Sequence, residues 1–332
     1  MLKILLYLVA FIPLAGFIQA QQISLLTSGR PVSLRGLSVV NDQIIWVSGS
    51  GGSVGISTDG GENWKWIQVP GYEKTDFRDI EAFNNREAVI MGITEPAVIL
   101  RTSDGGKNWT TTLEDSTKTV FLDAMDFSGD EAILVGDPDK GKIFFARSSD
   151  QGNTWIKSPP GLELTAKGEA FFAASGTNVR LIPGAGFALV SGGKKSCLYL
   201  SSCSYPLLLN QGTETSGANS IAINPEDPNQ AFITGGDFSN DTARYGNSLR
   251  IQFHPFIQTP PLIPPHGYRS CVEYLNDKQM ICCGTTGVDF SSDGGINWKL
   301  ISAKSFHVCR KSKTGKSVFL AGPGGSIARL EF

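Results

Sequence analysis

The sequence predicts an all-β chain folded as a seven-bladed β-propeller, closed by an N-terminal strand that completes the last blade. Three observations carry that expectation. First, one pattern, Ser/Thr-x-Asp-x-Gly-x-x-Trp, occurs at residues 57–64, 102–109, 148–155 and 291–298. Trp64, Trp109 and Trp155 are 45 and 46 residues apart, and the 143 residues from Trp155 to Trp298 make about three more periods of roughly 48. A period in that range marks one four-stranded blade per repeat. Second, 38 glycines and 10% aromatic residues suit many short strands joined by tight turns. Third, the last repeat ends after its third strand, Ile327-Ala328-Arg329-Leu330, while Ile23-Ser24-Leu25-Leu26 precedes the first inner strand and has no other partner. Joining the two closes the ring and hides sheet edges that would otherwise template aggregation.

Taken in order, residues 1–20 read as a signal peptide. Lys3 is followed by an apolar run over residues 4–18 and by Ala20, a small residue suited to cleavage just after it. An uncleaved anchor is the rival reading, since the run is only slightly short of a membrane span. The expected location is therefore secreted or periplasmic, with membrane contact only through an uncleaved signal. Residues 21–332 then form a single propeller domain, whose units are 35–67, 77–113, 121–157, 168–209, 218–253, 267–301 and 306–332. In the first, Leu37-Ser38-Val39-Val40 is the inner strand, Ile44 to Ser48 the second, Ser53 to Ile56 the third and Lys65-Trp66-Ile67 the fourth. Most units show the period-two alternation of half-buried strands. The fourth and fifth units have lost the motif: Cys203 stands where its Asp would be, and Ser248-Leu249-Arg250-Ile251 runs on without one. In the intact copies Asp59, Asp104, Asp150 and Asp293 are expected to accept backbone N–H groups of the turn, while Trp64, Trp109, Trp155 and Trp298 cover the hairpin end.

Composition removes several function classes. A net charge of −2 and a pI near 6.0 give no overall attraction for nucleic acid. The mature chain has three histidines, His254, His266 and His307, without the paired spacing of a zinc site, and Cys282-Cys283 lacks a second pair, so no metal is expected. Glycine-rich strings such as Gly49-Ser50-Gly51-Gly52 fall inside hairpins rather than between a strand and a helix, so no nucleotide cofactor is expected. Of the six cysteines, Cys197 and Cys203 share one extended segment, and a turn near Asn276-Asp277-Lys278 sets Cys271 opposite Cys282 or Cys283. A cross-strand disulfide is open there, but buried free thiols are the favoured reading.

The four motifs resemble the Asp-box (BNR) repeats of sialidases and related propellers. Nearly the whole mature chain is similar to the seven-bladed photosystem II assembly-factor-like repeat proteins. Phrases such as Asp76-Phe77-Arg78-Asp79-Ile80-Glu81-Ala82-Phe83, residues 168–177 and Gly267-Tyr268-Arg269-Ser270 resemble an exported bacterial branch of that group, whose members often carry the name "oxidoreductase". The resemblance implies the fold, and it implies a non-catalytic assembly or scaffold role as one function. Sialidases combine an arginine triad with a Tyr-Glu nucleophile pair on six blades. This chain offers three arginines but no Tyr-Glu pair that can be placed, and it lacks their Arg-Ile-Pro motif.

In a propeller the entries of the inner strands meet at one mouth of the channel, opposite the Asp-containing turns. Aligned entries give Arg35, Arg78-Asp79, Leu122-Asp123, Gly168-Glu169, Ala218-Asn219, Arg269-Ser270 and Phe306-His307, and the matching loops add Glu95, Asp137, Asp139, Lys194, Lys195 and Asp237. Arg35, Arg78 and Arg269, with Asp123 and Asp137, are the candidate ligand-binding set, because guanidinium forks clamp carboxylate, sulfate or phosphate. Asp79, Glu169, Asp237 and His307 are the candidate catalytic set, because glycoside cleavage needs a paired acid and base. The bland alternative is that these charges pair across the channel and seal it. The favoured function is glycan-directed binding or cleavage of a glycan or small anionic ligand. The alternatives are a scaffold with a protein partner and a small-molecule binder, and whether the protein is an enzyme stays open. If it is, a glycoside hydrolase or lyase is favoured over an NAD-dependent oxidoreductase. The insert over residues 254–266 is expected to run as a surface connection or to cover part of the mouth.

Overall fold

The computed structural model describes residues 21–157, 167–201 and 203–332, so the predicted signal peptide lies outside the described residues. They form seven antiparallel sheets and, apart from one 3-10 turn at Pro323–Gly325, no helix. Blade 1 comprises Leu34–Val39, Ile45–Gly49, Ser53–Ser57 and Lys65–Gln68 in spatial order from the channel outward. Blades 2 and 3 repeat the plan from Phe77–Ala82 to Thr110–Asp115 and from Leu122–Ser128 to Ile156–Lys157. Blade 4 starts at Val179–Ile182 and blade 5 at Ser216–Ile223; blade 6 starts at Cys271–Tyr274 and blade 7 at Val308–Lys311. Blade 7 has three strands from the C-terminal end, and Gln22–Thr27 pairs with Ile327–Glu331 as its fourth. The ring is thus closed by non-covalent pairing of the two chain ends, as the split last repeat predicts.

Apolar side chains of neighbouring blades make the core between them. Phe77, Ile80 and Leu100 of blade 2 pack with Trp46, Val54 and Ile56 of blade 1, and the same face-to-face arrangement recurs around the ring. The Trp-containing turns fasten these junctions. In the first, Ser57 Oγ donates to Asp59 Oδ1 at 2.8 Å and accepts the Gly61 N–H at 2.9 Å, while Asp59 Oδ1 accepts the Asn63 N–H at 2.9 Å. The hydroxyl that opens the motif is therefore as fully used as the carboxylate. Each turn presses on the blade before it: at Gly106 (φ +74°) a Cβ would lie 2.6 Å from Ile67 Cδ1, so only glycine allows the approach.

Two departures from the repeat shape the channel. In blades 1, 2, 3 and 5 the inner strand carries an extra residue against its neighbour, namely Arg35, Arg78, Asp123 and Asn219. Such bulges re-aim a side chain. The second departure corrects the predicted start of the fourth unit. Glu169–Ala170 is not an inner strand; it pairs with Gly192–Gly193 and extends the sheet of blade 5 to six strands. Residues 171–178 then cross the channel before blade 4 begins. Ser175 Oγ donates to Ser270 O of blade 6 at 2.7 Å, Arg35 of blade 1 donates to Ala174 O at 3.2 Å, and Arg310 of blade 7 donates to Gly176 O at 3.5 Å. One short segment therefore reaches blades 6, 7 and 1, across the ring from the blade 4 into which it leads, and plugs the channel.

The proline-rich insert also departs from expectation. Ile257–Thr259 is the fourth strand of blade 5, and the chain that follows it clips onto blade 6 by backbone bonds, Leu262 N–H to Ile296 O at 2.8 Å and Trp298 N–H to Ile263 O at 3.0 Å.

Candidate functional site

Above the plug, at the mouth away from the Trp-containing turns, lies a cavity of about 480 Å³ with Ala173 and Ala174 in its floor. The arc of blades 7, 1 and 2 supplies His307, Arg35 and Arg78, while the facing arc supplies Phe172, Phe238 and Tyr268. These three rings form a chain of edge-to-face contacts, with centroids 6.0 Å apart between Phe172 and Phe238 and 6.1 Å between Phe238 and Tyr268. The cavity is cationic on one side and aromatic on the other.

Its electrostatics follow from burial. Arg35 is bonded to a carbonyl, and among the described residues it has no ion-pair partner. Burial first, and then the neighbouring Arg78, pull its pKa down, which is the signature of two cations sharing a poorly solvated space. Arg78 donates from Nε to Asp76 at 2.8 Å and lies over the Phe121 ring at 5.8 Å. His307 is driven down to about 3 by burial, Arg35 and Arg78, so its imidazole is neutral at physiological pH; Nε2 sits 3.3 Å from Ser33 Oγ. Asp137 lines the cavity but is committed to the Phe171 N–H at 2.9 Å, and burial raises its pKa.

The other sequence candidates are dispersed. Arg269 does not line the cavity: it is fully buried in blade 6, where it donates from Nε to Asp289 Oδ2 at 2.8 Å and from Nη1 to Thr286 Oγ1 at 2.7 Å. The matching Gly49 lies over Ser33 O and Gly284 over Tyr268 O, so Ser270 is the counterpart of Arg35 and Arg269 falls one residue early. Glu169 is buried behind the cavity wall, accepting bonds from Tyr199 and, at 3.2 Å, from Ser191 Oγ. Asp237 lies outside the lining and accepts the Thr215 hydroxyl at 2.7 Å and the Ser239 N–H at 2.9 Å. Asp123 is fully buried with no well-formed hydrogen bond to either oxygen; the N–H groups of Ala173 and Asp137 give it only weak attraction. Desolvation and then the Asp137 charge push its pKa well up.

Asp79 lies on the far side of the plug, in a second cavity of about 190 Å³. Its Oδ2 accepts the Met125 N–H of the next blade at 2.9 Å. At the matching position Ser220 Oγ accepts Val272 N–H at 3.0 Å, and Cys271 Sγ accepts Cys309 N–H at 3.4 Å. The position is therefore an inter-blade clip. Desolvation raises the Asp79 pKa to about 7, against the pull of the Met125 N–H and the Arg310 charge. Around this second mouth Arg180 pairs with Asp126 at 3.3 Å, Arg310 approaches Glu273 at 3.9 Å, and Lys313 pairs with Glu81. Here the charges do seal the channel among themselves.

Sequence reasoning did not single out the aromatic wall or the plug. The signal for the plug is the run of small residues from Ala173 to Thr177, which breaks the alternation expected of an inner strand. Among the described residues no group of three or more His, Cys, Asp or Glu is placed to hold a metal ion, and no helix is long and apolar enough to cross a membrane.

No protein-family model matches the chain, and no curated protein does. Solved structures do. YCF48 bound to D1 peptide is 16% identical, with a TM-score of 0.65 over 96% of this chain and 99% of that one. YCF48 from Cyanidioschyzon merolae is 17% identical, with a TM-score of 0.65 over 93% and 99%. The WD40 β-propeller domain of Doa1 is 11% identical, with a TM-score of 0.63 over 94% and 97%. At these identities the likeness shows the fold, a seven-bladed all-β propeller.

Proposed function

We propose that the protein is a non-catalytic binding propeller, exported from the cytoplasm, that captures a segment of a protein partner between Arg35, Arg78 and the Phe172–Phe238–Tyr268 wall. One observation carries the reading: two guanidinium groups share a poorly solvated cavity, Arg35 without an ion pair, and an aromatic wall faces them. A carboxylate relieves the cation repulsion through forked hydrogen bonds, and a large apolar side chain next to it fills the aromatic half. Glycan cleavage is disfavoured, because it needs two carboxyl groups flanking one bond and, among the described residues, Asp137 is the one carboxyl group that lines the cavity. The structure of a propeller of this fold bound to a D1 peptide supports a polypeptide over a glycan.

The test is fluorescence anisotropy with peptides that place an acidic group beside an aromatic or aliphatic residue, against the same peptides with the acid amidated. Arg35→Ala and Arg78→Ala are each expected to weaken binding about 10- to 100-fold, the loss of one or two charge-assisted bonds. Equal affinity for the amidated peptides, or glycan turnover that Asp137→Asn abolishes, would count decisively against this reading.

A further inference from the structure

Cys271, Cys283 and Cys309 meet where blades 6 and 7 join, and all three are fully buried. Cys271 and Cys283 are opposite each other in the ladder between Cys271–Tyr274 and Met280–Gly284. The neighbour invisible to strand-by-strand reasoning is Cys309, on the inner strand of the next blade, whose Sγ is 3.7 Å from Cys271 Sγ. Cys271 Sγ accepts the Cys309 N–H at 3.4 Å and faces Arg310 Nη1 at 3.6 Å. Burial works against charge there, yet hydrogen bonds from Cys283 and Cys309 and the Arg310 guanidinium hold the Cys271 thiol well below its ordinary range. Burial pushes the Cys309 thiol up. The pair is polarised toward Cys271, the sulfur whose thiolate form is favoured by hydrogen bonds and the Arg310 guanidinium.

We propose that Cys271 and Cys309 are a redox couple that closes to a disulfide between blades 6 and 7. While blades 6 and 7 close on each other during folding, before the junction is buried, Cys271 gives its proton to solvent and its sulfur attacks one sulfur of a small-molecule disulfide, breaking that S–S bond and releasing one thiolate, which takes up the Cys309 proton. Cys309 sulfur then attacks Cys271 sulfur and displaces the second half of the oxidant. The two cysteines lose two electrons and two protons, one to solvent and one to the first released thiolate; the second released thiolate takes its proton from solvent, so the oxidant's disulfide becomes two thiols. Closure shortens a 3.7 Å approach between the sulfurs to about 2.05 Å. The bond joins the last continuous blade to the one assembled from both chain ends, where the ring depends on non-covalent pairing. In the cell the step requires an oxidising compartment and so rests on the proposed export; the test below does not.

The full chain is unfolded and reduced, refolded in a glutathione–glutathione disulfide buffer, alkylated without reduction and mapped by mass spectrometry. The expected product is one cross-linked peptide pair, Cys271 with Cys309, with Cys282 and Cys283 alkylated once the protein is unfolded. A Cys271–Cys283 link, or six alkylated cysteines, overturns the proposal. As a second readout, dithiothreitol should lower the melting temperature of the refolded wild type by several degrees and leave that of Cys309→Ser unchanged. Equal sensitivity of the two proteins to reductant also overturns it.

Discussion

Asp79 makes the stability of the ring depend on pH in a direction opposite to that of most carboxylates. Its carboxyl titrates near 3.8 in an unfolded chain and at about 7 in the fold. Between those values the unfolded chain has released its proton and the folded one has kept it, so stability falls as pH rises. The contribution is whole below pH 4, declines across the window and is lost above 7. At about 1.4 kcal/mol per pH unit, the cost once both states are ionised is about 4 kcal/mol. Asp79→Asn removes the titration while its side-chain oxygen still accepts the Met125 N–H, so the inter-blade clip survives. Other buried acids, Asp123, Asp126 and Glu273 among them, titrate in both proteins and cancel in the difference. Melting temperatures of wild type and variant, followed by tryptophan fluorescence from pH 4.5 to 8, should therefore diverge. About 3 kcal/mol of this falls within the range, so the variant gains on the wild type by roughly 6 °C, at about 2 °C per kcal/mol. Two parallel curves would refute the reasoning, because they would mean that the ionised carboxylate is solvated or paired better than its burial implies.

Three further outcomes follow from the same geometry. Gly176→Ala places a Cβ 2.2 Å from the Asp79 carboxyl carbon at a φ of +63°; it should cost about 2–4 kcal/mol and abolish ligand binding in the anisotropy assay, since the plug carries the Ala174 carbonyl that positions Arg35. Arg269→Met leaves Asp289 buried without its guanidinium and should destabilise by about 3–5 kcal/mol, yet ligand affinity in the folded fraction should stay unchanged, and a loss of affinity would return Arg269 to the site. Trp298, the most buried of the four turn tryptophans at 3% exposure, should cost about 3–5 kcal/mol as Trp298→Ala, and Trp155→Ala less than half of that in the same chemical denaturation series.

The ring is legible in the sequence because four motifs repeat and because Ile23 to Leu26 has a vacancy to fill in the last blade. Individual mouth residues are legible where the inner-strand entry keeps its phase, as at Arg35, Arg78 and His307. Arg35 and Arg78 sit at bulges in blades that retain their motif, and both reach the cavity. Repeat alignment puts Arg269 one position early, and in a strand a slip of one residue sends a side chain to the opposite face. Glu169 aligns as an inner-strand entry because unit 4 has lost its motif, which leaves nothing to reveal that residues 171–178 intervene before Val179. The Cys271–Cys309 approach and the facing of Phe238 on Tyr268 join different blades. No pattern within one repeat encodes them; they exist only once the blades are set side by side.

The segment across the axis also determines what kind of body this is. A septum that rests on Arg35 from one side and on Asp79 and Arg310 from the other divides the channel, among the described residues, into two separate cavities. Its two ends differ chemically: one holds Arg35, which has no ion-pair partner among the described residues, and the other pairs its charges with one another. They share a single diaphragm, since the same short segment carries the Ala174 carbonyl bonded to Arg35 and the Gly176 packed against the Asp79 carboxyl.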